Sequence, residues 1–159
     1  LKPRYIPAFI YDTVKRNVRY YGLPSGQEFA PFIYVHEYLS EGVKLPKHVV
    51  EEVEAIEVPL HVRIFVTPEC PYCPIVVDFM NQVGIVNSSI LVETIEAFEH
   101  PYEADKYRVL YVPYIAVTRI EEYEVYGASP VEVVPGYVPP EELLEVLKRA
   151  EKKLKKQTT

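Results

Sequence analysis

Two cysteines, Cys70 and Cys73, stand three positions apart in the segment Cys70-Pro71-Tyr72-Cys73 of this 159-residue chain. The run Val62-Arg63-Ile64-Phe65-Val66 just before them reads as a strand, and the pair then opens a helix predicted over 70–83. Pro71 suits the first helical position, where no amide donor is required. Free N–H groups and the dipole at a helix start favour an anion, so Cys70 is expected to be partly thiolate. Such positions draw a thiol from about 8.5 toward roughly 3.5–7.5. Cys73, one turn in, is more shielded and able to attack a mixed disulfide. Pro74 removes one early helix bond, which a first turn tolerates. A structural zinc site needs four ligands, and there is no second cysteine pair. His36, His48, His61 and His100 are scattered and read as surface or internally satisfied side chains. Dithiol–disulfide chemistry, a metal shared across two chains and an inert buried pair stay open, and the placement after a strand favours the first.

Holding such a pair takes a layered scaffold, and the periodicities describe one. Residues 60–66 and 90–95 read as buried strands, and 46–56 as a helix carrying Val49, Val50 and Val53. A short helix is expected over 100–107. The final run puts Leu143, Leu144, Leu147 and Leu154 on one helical face, and its Lys/Arg-rich end complements the helix dipole. Strand, helix, strand, helix, hairpin, helix is an α/β order with a central mixed sheet. With 48% hydrophobic and 25% charged residues the chain is globular, and no apolar run reaches the ~20 residues of a membrane span. A net charge of -6 argues against a reader of nucleic-acid phosphates. The Lys152 to Lys156 run is therefore read as a solvated helical face. Fifteen Pro, one Met and no Trp fit a heat-adapted organism, and the single close cysteine pair fits an intracellular, cytoplasmic chain rather than a secreted disulfide scaffold.

The chain also repeats itself. Arg4-Tyr5-Ile6-Pro7-Ala8-Phe9-Ile10-Tyr11 is echoed by Leu110-Tyr111-Val112-Pro113-Tyr114-Ile115-Ala116-Val117. Val18-Arg19-Tyr20-Tyr21-Gly22 is echoed by Tyr123-Glu124-Val125-Tyr126-Gly127, and the Pro and Gly marks are offset by 106 and 105 positions. One β-hairpin used twice explains both. After the first copy Ser25 is expected to cap a helix running to about residue 40, with Glu28 as its capping-box partner. Residues 128–138, a Val run among Pro130, Pro135 and Gly136, read equally as loop or strand.

Thr67-Pro68-Glu69-Cys70-Pro71-Tyr72-Cys73-Pro74, with Tyr111-Val112-Pro113 downstream, resembles the thioredoxin/glutaredoxin superfamily. Arg19-Tyr20-Tyr21-Gly22-Leu23-Pro24-Ser25-Gly26-Gln27-Glu28-Phe29 resembles the end of the first unit in the two-unit protein disulfide oxidoreductases of hyperthermophilic archaea, which are glutaredoxin-like. The resemblance implies a thioredoxin fold, a central mixed sheet flanked by helices, with an N-terminal partial thioredoxin unit. Residues 1–42 would be the tail of a first unit, 43–58 a connecting helix and linker, and 59–156 a complete redox unit. Cys70 would be the nucleophile, Cys73 the resolving thiol and Pro113 a cis-proline. Val112 would offer its backbone to substrate, with Tyr72 beside it. Thioredoxins carry a buried acid six residues before the first cysteine; here that position is Ile64, and Glu69 becomes the candidate proton shuttle. The implied activity is thiol–disulfide exchange with protein substrates, with no bound cofactor or metal and a thioredoxin-reductase-like flavoprotein as electron source. The alternatives are a peptide- or protein-binding module and a metal or iron–sulfur site shared across a dimer. No basic residue can be assigned to grip glutathione. Leu1 at the head suggests a fragment of a two-unit protein. Phe9, Tyr11, Tyr20, Phe29 and Phe32 are then expected to pack against the complete unit or the same segment of a second chain, a homodimer through residues 1–42.

Overall fold

The computed structural model describes residues 1–159. Six strands form one sheet: β1 (Ala8–Ile10), β2 (Val18–Tyr21), β3 (Leu60–Val66), β4 (Ile90–Glu96), β5 (Tyr114–Arg119) and β6 (Glu132–Pro135), in the order β1-β2-β4-β3-β5-β6. β2 and β3 each pair parallel with β4, and the other pairings are antiparallel. The helices are α1 (Phe29–Glu41), α2 (Lys47–Glu54), α3 (Cys73–Val86), α4 (Pro101–Lys106) and α5 (Pro140–Gln157).

Alternation along the strands sends two different layers to the two faces. Tyr20, Leu60, Val62, Ile64, Val92, Ile115, Val117 and Val134 face α2, α3 and α5 and make an apolar core. Because both faces are covered, every residue of β3 and β4 is buried, as in other parallel sheets. The opposite face carries a smaller apolar cluster, with Tyr21, Phe65, Ile95, Tyr107 and Tyr114, beside a buried ionic layer. Glu93 accepts from His61 Nε2 at 2.6 Å and Arg4 Nη2 at 3.3 Å, and also from the Tyr21 hydroxyl. Glu103 is paired with Arg4 at 3.0 Å and with Arg63 at 2.9 Å. His61 is thus a fully buried member of this layer, and burial holds its pKa down to about 4.

Residues 1–42 are stitched into the sheet rather than appended to it. Asn17 accepts from the Val92 amide at 2.7 Å through its carbonyl, and its side-chain amide donates to the carbonyls of Gly84 and Ile90 at 2.7 and 2.8 Å. Gly84 allows the approach: a Cβ there would lie 2.7 Å from Val18 Cγ2. Tyr11 and Tyr20 are buried, and Phe9 and Phe32 pack on them and on the core. Phe29 does not pack on the complete unit and stays 58% exposed.

Three local expectations are corrected. Ser25 makes no side-chain cap; a 3-10 turn over Gly26–Glu28 precedes α1, and Glu28 is buried rather than bonded back to it. The second hairpin does not close at Tyr123–Gly127, which lies in a turn region after a 3-10 turn at Ile120–Glu122. Its return strand is β6, so the 128–138 segment holds a strand. The true repeat pairs Ala8 with Tyr21 and Tyr114 with Pro135, each just after a cis-proline and just before a glycine, Gly22 and Gly136. Last, α3 begins at Cys73, so Pro71 precedes the helix and Pro74 takes the first-turn position.

Candidate active site

β3 ends at Val66, and the Cys70 amide donates back to the Thr67 carbonyl at 3.3 Å, which turns the chain across the end of the sheet. Cys70 sits in that turn and Cys73 is the first residue of α3. The two are disulfide-bonded with Cα atoms 5.5 Å apart. Cys70 keeps 8% of its surface, whereas Cys73 is fully buried. The Cys73 backbone amide donates to Cys70 Sγ at 3.1 Å. That amide is one of the unsatisfied donors of a helix start, aimed at the sulfur that an anion would occupy.

Val112-Pro113 is a cis peptide bond, and Ile6-Pro7 is its counterpart in the first hairpin. Val112 packs against the core cluster that contains Cys70 and Cys73, and Pro113 is buried beside it. The amides of Leu110, Tyr111 and Val112 donate to no acceptor in the chain. Tyr72 is 54% exposed, with its ring 4.9 Å from that of Tyr137. Ile64 is buried in the apolar layer, as its residue type requires. Glu69 is exposed and makes no side-chain hydrogen bond. No three His, Cys, Asp or Glu side chains converge as a metal site would need.

A different carboxyl stands out. Glu28 is fully buried, and neither of its oxygens has a hydrogen-bond partner. Burial without a partner pushes its pKa up to about 8. The turn that carries it packs on α3, and the Gln27 amide donates to the Pro68 carbonyl at 2.8 Å, two residues before Cys70. Gly26 makes this approach possible, since its φ is +59 and a Cβ would fall 2.4 Å from the Pro68 oxygen. Tyr20, whose hydroxyl is also unpartnered, belongs to the same cluster as both cysteines, and the Glu28 charge adds to burial in raising the Tyr11 and Tyr20 phenols. A sequence signal existed: Glu28 shares a helical stripe with the buried Pro31, Val35 and Tyr38.

No family model matches the chain. Among curated proteins it is similar to the F component of an alkyl hydroperoxide reductase from Staphylococcus epidermidis, 25% identical over 75 residues that cover 46% of this chain and 15% of that one. Among solved structures, the F component of the alkylhydroperoxide reductase of Enterococcus faecalis superposes with a TM-score of 0.76 at 19% identity, over 91% of this chain and 66% of that chain. A protein disulfide oxidoreductase from Aeropyrum pernix superposes with a TM-score of 0.76 at 30% identity, over 93% of this chain and 61% of that one. The chain therefore spans about a seventh of the curated relative and about two thirds of the structural ones. The similarity extends through the hairpin of residues 1–42 as well as the cysteine-bearing unit, and the chain is a member of the thioredoxin-fold superfamily.

Proposed function

We propose that the chain is a thiol–disulfide oxidoreductase that exchanges disulfides with protein substrates through Cys70 and Cys73. The carrying observation is the Cys73 amide donating to Cys70 Sγ at the mouth of α3, with the more accessible cysteine at position 70. In the reduced state the Cys70 thiolate attacks one sulfur of a substrate disulfide. A Cys70–substrate S–S bond forms, the substrate S–S bond breaks, and its second sulfur leaves as thiolate. The Cys73 thiol gives its proton to the Glu28 carboxylate and attacks the Cys70 sulfur, expelling the first substrate sulfur. Two electrons pass from the protein dithiol to the substrate, whose thiolates take up one proton returned through Glu28 and one from water, and the Cys70–Cys73 disulfide is restored. Glu28 suits the transfer because a carboxyl near 8 can both accept and return a proton at neutral pH. Val112 and the exposed Tyr72 are the residues we assign to substrate contact.

The names of the similar proteins support a redox partner for this cycle, and a thioredoxin-reductase-like flavoprotein drawing on a nicotinamide is the electron source we assign, in the cytoplasm. In this reading residues 1–42 are the hairpin and helix of a first thioredoxin-like unit, 43–58 the connection and 59–156 the complete unit. The open edge of β1 and the exposed Phe29 favour a homodimer through residues 1–42, which sedimentation at micromolar concentration reads directly. The activity is tested by insulin disulfide reduction with dithiothreitol. Turbidity from freed insulin chains should appear far sooner with the protein than without it; an unchanged lag overturns the proposal.

A further inference from the structure

A cavity of about 670 Å³ lies among α1, α2, α3 and α5. It falls inside the ~300–1,000 Å³ typical of sites for small molecules. One wall follows α3 from Pro74 to Gln82, so the cavity extends along the helix away from the cysteines. Its interior is apolar: Val49, Phe79 and Leu144 line it and are buried, and Ile75 lines it while 43% exposed. The charges around it have one sign. Glu52, Asp78, Glu141 and Glu145 line it, His48 is the one basic lining side chain, and no Lys or Arg takes part. Glu52 and Glu145 share Lys148 Nζ, at 3.1 and 2.9 Å. Asp78 accepts from the Tyr38 hydroxyl at 2.7 Å and from the Gln82 side-chain amide at 3.1 Å, both neutral donors. Lys44, whose charge reaches Asp78, is itself paired with Glu37.

We infer that this cavity binds a small organic cation, an amine carried on an apolar alkyl or aryl-alkyl body. The inference goes beyond the redox reading and does not depend on it. The volume and the four enclosing helices suit one compact molecule, and the lining assigns its two ends. An apolar body placed against Val49, Phe79 and Leu144 leaves water. The ammonium then meets Asp78, a half-buried carboxylate that forms no ion pair of its own. Burial raises the Asp78 carboxyl above its ordinary value, the mark of a charge that has lost hydration. A charge-assisted hydrogen bond to such a group is stronger than one on open surface. A ligand of the same shape ending in a carboxylate would meet four acids and no lining Lys or Arg, losing hydration without gaining a partner. A neutral ligand would gain the burial alone.

The test titrates the full, oxidised chain with 4-phenylbutylamine, 4-phenylbutanol and 4-phenylbutyrate, reading the methyl NMR signals of Ile75 and Leu144. A ligand this small is expected to saturate at millimolar concentration, on the order of 1 mM for the amine. The alcohol should bind roughly tenfold more weakly, and the carboxylate should leave both signals unmoved. Asp78→Asn keeps an acceptor for the Tyr38 hydroxyl, and should bring the amine down to the affinity of the alcohol without changing the alcohol. Ile75→Trp, at a half-exposed position, fills the hollow and should weaken amine and alcohol together. Equal binding of amine and carboxylate overturns the inference. So does the lack of any saturable shift at about ten times the expected concentration, or amine binding that survives both replacements. Should Asp78→Asn fail to fold, the amine-to-carboxylate comparison and Ile75→Trp decide the matter.

Discussion

Glu28→Gln removes an ionisation that the fold opposes, and its effect on stability has a definite sign. The Glu28 carboxyl stands at about 8 in the folded chain against 4.5 as an ordinary side chain. Between those values the native state holds a proton that the unfolded chain has released, so stability is highest below 4.5 and falls as pH rises toward 8. The slope is about 1.4 kcal/mol per pH unit, flattening as the folded value is reached. His61 acts in the opposite sense: held down to about 4 against 6.5, it weakens the fold as pH drops below 6.5 and is silent above it. The window from pH 6.5 to 8 therefore isolates Glu28 from His61, and across it Glu28 should cost the wild type about 1.5 kcal/mol. Guanidinium unfolding of the oxidised protein at both pH values measures this, with the disulfide intact so that neither cysteine titrates. The wild type should lose that amount between pH 6.5 and 8 relative to Glu28→Gln. Equal losses in the two proteins would refute the claim that this carboxyl is buried without a partner, and with it the proton role assigned to it.

Two further replacements probe the scaffold. Glu93→Gln keeps the shape but strips the charge that Arg4 and Arg19 share, at 3.3 and 3.8 Å, and should cost about 3–5 kcal/mol in chemical denaturation, as breaking buried ion pairs does; a loss under about 1 kcal/mol would mean that the layer is hydrated. Gly84→Ala places a Cβ 2.7 Å from Val18 and 3.1 Å from Val92. The overpacking should cost about 1–3 kcal/mol, read as a lowered denaturant midpoint, and an unchanged midpoint would show that α3 is free to shift away from the sheet.

The elements that hold the cysteines are those whose pattern is local. β3 matches its expected span at both ends because a run of β-branched and aromatic residues buried on both faces can be little else. α2 and α5 follow from stripes of Val and Leu at helical spacing. The second hairpin was harder to read, because the Tyr123–Gly127 letters imitate the first hairpin while doing something else. Tyr123 donates its hydroxyl to the Lys2 carbonyl and accepts from Arg19 Nη1 at 2.8 Å, so it seals the ionic layer instead of forming a strand. That layer joins residues as far apart as Arg4 and Glu103, and no local pattern encodes such a pairing. Glu28 was legible by its stripe, yet its spacing from Ser25 also fits a capping box, and only packing against α3 separates the two. Cys70 and Cys73 were legible as a pair. Which amide supports which sulfur depends on α3 starting at Cys73, a boundary set by tertiary placement of Pro71 and Pro74.

The central claim, that Cys70 attacks and Cys73 resolves, is tested most directly by trapping. Cys73→Ser, reduced and mixed with an excess of a disulfide-bonded protein substrate, should accumulate a covalent adduct that peptide mass mapping places on Cys70, while Cys70→Ser should accumulate none. An adduct carried by Cys73 in the Cys70→Ser protein, with none on Cys70 in its counterpart, would contradict the account.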